Sequence, residues 1–106
     1  MCINIKILYV IEKSPELISD EEIIDIIQKE KRDKDPITIY IHNDGIRWLL
    51  NENWDQLFRL DDHVVYYANA QDAKNYNVPF QDGVIFSNPK TLYQLINCAD
   101  RVLFIH

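Results

Sequence analysis

The chain predicts an α/β fold of three layers, α/β/α, around a mainly parallel sheet of about five strands. Two observations carry this. Apolar, β-branched runs alternate with helix-forming segments along the whole chain, the order that parallel sheets with helices on both faces require. The stretch from Val64 to Val78, in addition, has the form of a strand that ends where a helix begins. At 106 residues the chain fits one domain, 1–106, large enough to bury a single core.

The elements follow in order. Ile3-Asn4-Ile5-Lys6-Ile7-Leu8-Tyr9-Val10-Ile11 alternates and then becomes continuously apolar, which suits a strand entering the middle of a sheet and stopping at Ser14-Pro15. From Asp20, Ile23, Ile24, Ile26 and Ile27 recur on a helical face, with acidic residues in front and basic ones behind, as the helix dipole prefers. Pro36 opens a second strand, Ile37 to Ile41, which stops at His42-Asn43-Asp44-Gly45 and leads into a short helix through Leu50. Trp54, Leu57 and Phe58 suit one more helical turn. Val64 to Tyr67 form the third strand, Ala70 to Tyr76 a short helix, and Val84-Ile85-Phe86 a fourth strand. Asn88-Pro89 reads as a cap with proline in the first turn. Leu92, Leu95, Ile96 and Ala99 then make an apolar helical stripe before a fifth strand, Val102 to Ile105.

Composition excludes several function classes. Hydrophobic residues at 47% and charged residues at 26% match an ordinary globular domain and argue against disorder. A net charge of -6 opposes direct nucleic-acid binding, which is built from Lys and Arg on phosphates. The basic run from Lys29 to Lys34, broken by Glu30 and Asp33, reads as the solvated end of a helix. Two glycines leave no Gly-rich phosphate loop. No apolar run reaches the ~18 residues that span a bilayer, and no leader pattern precedes the first strand, so a cytoplasmic protein with reduced thiols is expected.

The candidate sites lie where strands end. Asp44 and Gly45 follow the second strand; Asn69 and Asp72 follow the third. Asp44, placed before a helix, is expected to cap its orphan amides, although a ligand or partner contact is the competing role. His42, His63 and His106 lack the spacing of a metal site, and neither a metal nor a cofactor is expected. Cys2 and Cys98 stand at opposite ends of the sequence and form no C-x-x-C pair. Cys98 falls off the helical stripe near a helix end, where the dipole and Asp100 disfavour a thiolate, so a passive packing thiol is expected. Tyr66, Tyr67, Tyr76 and Trp54 are of the residue type enriched at interface hot spots, but each taken singly is expected to fill the core or its rim.

Several segments, taken in order, resemble the DsrH/TusB family. Leu8-Tyr9-Val10-Ile11-Glu12-Lys13-Ser14-Pro15 is similar to its opening strand and Ser-Pro turn. Ile39-Tyr40-Ile41-His42-Asn43-Asp44-Gly45-Ile46 is similar to its apolar strand and Asp-Gly turn. Val65-Tyr66-Tyr67-Ala68 through Asp72 to Val78 resembles its next strand and helix, and Thr91-Leu92-Tyr93-Gln94-Leu95 up to the final strand its last helix and strand. Asn77 stands where the family has Gly, a change a left-handed turn tolerates. Phe104-Ile105-His106 stands where a Trp is expected.

The resemblance implies a DsrE-like fold and work in a sulfur relay, in which persulfide sulfur passes between cysteines of successive proteins. In related DsrE/TusD subunits a reactive Cys lies after the third strand; the corresponding stretch here carries Asn69 and Asp72. A carboxamide or carboxylate cannot form a persulfide. The implied role is therefore a noncatalytic subunit that joins DsrE/TusD-like and DsrF/TusC-like subunits, between upstream and downstream sulfur carriers. Such assemblies serve tRNA wobble 2-thiouridine formation or sulfur oxidation. Two alternatives stand beside it: a stand-alone DsrE-like protein accepting sulfur on Cys98, and a homo-oligomeric small-molecule binder using Asp44 and Asn69.

Overall fold

The computed structural model describes residues 5–30, 36–51 and 64–106. Five strands form one sheet: β1 (Ile5–Ile11), β2 (Ile37–Ile41), β3 (Val64–Asn69), β4 (Val84–Ser87) and β5 (Ala99–Ile105). Their order is β4-β3-β2-β1-β5, and every pairing is parallel. Among the described residues the α-helices are α1 (Asp20–Glu30), α2 (Ala70–Asn75) and α3 (Pro89–Cys98), and a 3₁₀ segment spans Asn43–Leu50. The expected helical turn at Trp54, Leu57 and Phe58 lies outside the described residues, as do Cys2 and His63.

Burial on both faces explains the long apolar runs of the central strands. Ile7, Tyr9 and Ile11 of β1 and Ile37, Ile39 and Ile41 of β2 pack on one face against Ile23 and Ile27 of α1, Ile46 and Trp48 of the 3₁₀ segment, and Ala73 of α2. On the other face Leu8, Val10 and Tyr40 pack against Leu92, Leu95 and Ile96 of α3. Among the described residues, one helix covers that second face where three elements cover the first. Consequently Val65, Ile85 and Phe104, which point to the second face, stay 43%, 48% and 48% exposed.

Local chemistry sets the ends of the elements. Ser19 Oγ accepts the Glu22 amide at 3.1 Å, which caps the start of α1, and donates to the Glu22 carboxylate at 3.2 Å. Asn69 caps α2 by accepting the Asp72 amide at 3.0 Å. Asn77 takes the left-handed conformation expected of it, at φ 56°. At the start of α3, Asn88 occupies the cap position without a side-chain hydrogen bond. Ala99 corrects the apolar stripe: it is extended, at φ -85° and ψ 140°, and begins β5 rather than ending α3. Among the described residues no helix is long and apolar enough to cross a membrane.

Candidate functional site

Because all strands run the same way, their carboxyl ends meet along one edge of the sheet, and the polar residues that follow them converge there. Glu12, after β1, and His42, after β2, are joined by a 2.8 Å contact between Glu12 Oε1 and His42 Nε2 in a half-buried setting. Asn43 then turns left-handed, at φ 53°, and its amide donates to Asp72 Oδ2 at 2.7 Å. Asp44 Oδ1 accepts the Tyr76 hydroxyl at 2.5 Å. The exit of β2 is thus tied to α2 at both ends of that helix.

Packing beneath this cluster fixes its position. A Cβ on Gly45 would stand 2.3 Å from the carbonyl oxygen of Ile11 and 2.9 Å from its carbon, so only glycine lets the 3₁₀ segment lie this close to β1. Trp48 anchors the segment from within by donating Nε1–H to the Lys13 carbonyl at 2.8 Å. Arg47 pairs with Glu16 on the outer side. Glu16 is held below the usual carboxylate range chiefly by a hydrogen bond from Ser14. Tyr76 is raised above the usual phenol value because its proton is bound to the Asp44 carboxylate, with charge repulsion from that carboxylate adding to the effect.

A second group of polar residues lies on the opposite face of the same edge. α2 leaves β3 toward the face of α1, whereas α3 leaves β4 toward the other face, so the connections diverge between β3 and β4. In open α/β sheets a crevice opens at such a divergence. Asn69 and Ser87, paired across β3 and β4, stand at its base. Tyr40, fully buried, reaches the Asn88 carbonyl with its hydroxyl at 3.5 Å. Burial raises the Tyr40 phenol, while Ser87 and Asn69 oppose the rise by their ability to bond an ionised oxygen. Ser87 Oγ is itself enclosed and makes no hydrogen bond of good geometry.

The expected strand-end residues Asp44, Gly45, Asn69 and Asp72 lie along one edge, and Asp44 differs from expectation in not serving as a cap. Asp44 lies inside the first turn of the 3₁₀ segment, which has no side-chain cap, so its carboxylate is free to take Tyr76. Asn69 caps a helix, and Asp72 crosses between elements. Cys98 belongs elsewhere. It immediately precedes β5, whose first residue pairs with Ile5, so it sits at the amino edge of the sheet. One seven-residue strand, about 20 Å, separates that edge from the cluster.

Cys98 is half-buried against the core and engaged in a disulfide, which corrects the expectation of a reduced packing thiol. The register of Ile5 on Ala99 explains why spacing along the chain was a poor guide: residues near opposite ends of the sequence share this edge. Tyr66 and Tyr67 point to opposite faces, the first into the core and the second half-buried beside α3. Of the other residues gathered here, His42 and Tyr76 stood out in the sequence, as a strand end and as an interface-type aromatic, whereas Glu12, Tyr40 and Ser87 did not. Glu12, His42 and Ser87 share one signal, each standing at the end of a strand-like run.

Chemically, the cluster is built to hold a shape. Its carboxylates bond amides and a phenol of the same chain, and no thiol lies in it. Among the described residues no group of three His, Cys, Asp or Glu side chains could hold a metal ion. No protein-family model matches the chain, and no curated protein matches it. Among solved structures it is similar to the ychN protein from E. coli, at a TM-score of 0.73 and 19% identity, over 95% of this chain and 99% of that one.

Proposed function

The fold is DsrE-like, and from it we propose that this chain is a noncatalytic, DsrH/TusB-like subunit of a cytoplasmic sulfur-relay assembly. One observation carries the reading. At the end of β3, the position where related subunits place a reactive cysteine, Asn69 spends its carboxamide oxygen on capping α2, and the neighbouring carboxylates are committed to contacts within the chain. The chain offers shape there and no sulfur acceptor. Its partners in this reading are DsrE/TusD-like and DsrF/TusC-like subunits that bear the thiols, and the product is either thiolated wobble uridine in tRNA or oxidised sulfur.

The test is native mass spectrometry of the tagged protein isolated gently from its own host. Recovery of cysteine-bearing DsrE- and DsrF-like chains in fixed stoichiometry is the expected result. Isolation without them, together with persulfide transfer that Cys98→Ser abolishes, would overturn it.

A further inference from the structure

We propose that β4 is a pairing edge for a second copy of this chain, the two β4 strands running antiparallel about a twofold axis and joining two sheets into one. The two edges of the sheet differ in a way that matters for association. β5 is seven residues long and carries exposed Asp100 and Arg101, with Lys6 bridging Asp100 at 3.5 Å. Charge on an edge strand discourages further pairing. β4, Val84–Ser87, has neither a charge nor a proline, and among the described residues no strand lies on its outer side. Apolar side chains stand exposed on both faces beside it. Phe80 is 77% exposed, with its ring 5.5 Å from that of Phe86, and Ile85 and Val65 are exposed on the α3 face. An uncharged edge flanked by exposed apolar groups is a template for strand addition.

Charge selects both the occupant and its direction. Asp82 lies just before β4 and Lys90 just after it; both are exposed, and neither has an ion-pair partner among the described residues. An antiparallel second copy sets Asp82 of each chain beside the partner's Lys90, twice by symmetry. A parallel copy would align like charges, which is destabilising. A twofold axis normal to the sheet also keeps like faces together, so Ile85 and Val65 of both copies form one apolar strip. The contact is small and both chains carry -6, which points to micromolar affinity. This inference is independent of the sulfur-relay reading.

Light scattering after gel filtration, across the micromolar range, tests it. The expected result is a mass rising to twice that of the monomer. Ile85→Lys, at an exposed position, abolishes the rise without lowering Tm. Asp82→Lys and Lys90→Asp each weaken association about tenfold, and the double reversal restores it. A monomer throughout, a dimer indifferent to Ile85→Lys, or no rescue by the double reversal would overturn the proposal. It is equally overturned if Ile85→Lys releases a different protein from the native assembly while the pure chain stays monomeric, since the edge then belongs to another partner.

Discussion

Replacing Gly45 by alanine adds one methyl group at the point where the 3₁₀ segment meets β1. That Cβ would lie 2.3 Å from the Ile11 oxygen, 2.9 Å from the Ile11 carbon and 3.2 Å from Glu12 Cα, all backbone atoms at the end of the buried central strand β1 or just after it. None of them can rotate away. Relief requires the segment to lift off, and the Ile11 oxygen that is struck is the one that accepts the His42 amide at 3.2 Å. Overpacking of this kind costs about 1–3 kcal/mol, and a weakened backbone hydrogen bond about 1 kcal/mol more. The expected loss is therefore about 2–4 kcal/mol, or a Tm lower by about 10–20 °C in a domain of this size. Urea unfolding followed by circular dichroism measures it. Gly83→Ala is the control: φ is +86° there, but the space around it is open, so only the backbone conformation is penalised, at about 1 kcal/mol. If Gly45→Ala loses less than about 0.5 kcal/mol, or less than Gly83→Ala does, the close-approach argument is wrong.

Three further outcomes follow from the same geometry. The Tyr76 phenol, raised above its ordinary 10.0 by Asp44, contributes stability that is fully present below pH 10 and is lost as pH rises through its raised value. Absorbance at 295 nm, compared between the native protein and Tyr76→Phe, should show one late-ionising phenol, and Asp44→Asn should bring it earlier. Trp48→Phe should cost about 2 kcal/mol by chemical denaturation, since it orphans the Lys13 carbonyl and leaves a void in the core; a neutral result would mean water replaces the indole N–H. Cys98 should resist maleimide labelling until a reductant is added; immediate labelling of the native protein would contradict the disulfide.

The order of strands and helices was legible because the central strands are buried on both faces. Such strands read as unbroken apolar runs, and β2 was recovered from Ile37 to Ile41 without error. The edge was harder. Ala99-Asp100-Arg101 is polar because half of it faces water, and Ala99 stands four residues after Leu95, so helical spacing absorbed the start of β5. The strand-end location of Asp44, Gly45, Asn69 and Asp72 was legible from where the strands stop. Their partners were not, because Asp44 and Tyr76 are 32 residues apart and Asn43 and Asp72 are 29 apart, and side-chain bonds across such distances leave no local pattern.

The placement of β1 between β2 and β5 has a consequence for how the chain reaches this state. β1 meets β2 early, but its other side is completed only by a strand some ninety residues further along, with Ile5 opposite Ala99. A ribosome must release nearly the whole described chain before that seam can close. Until then the apolar edge of Ile-Lys-Ile-Leu-Tyr-Val-Ile stands open, the situation in which nascent chains recruit chaperones or aggregate. Long-range parallel closure also slows folding, because the entropy of the large loop is lost before the contacts form. Weakening the β1–β5 seam should therefore reduce soluble yield in cells more than it lowers the equilibrium stability of molecules that have already folded.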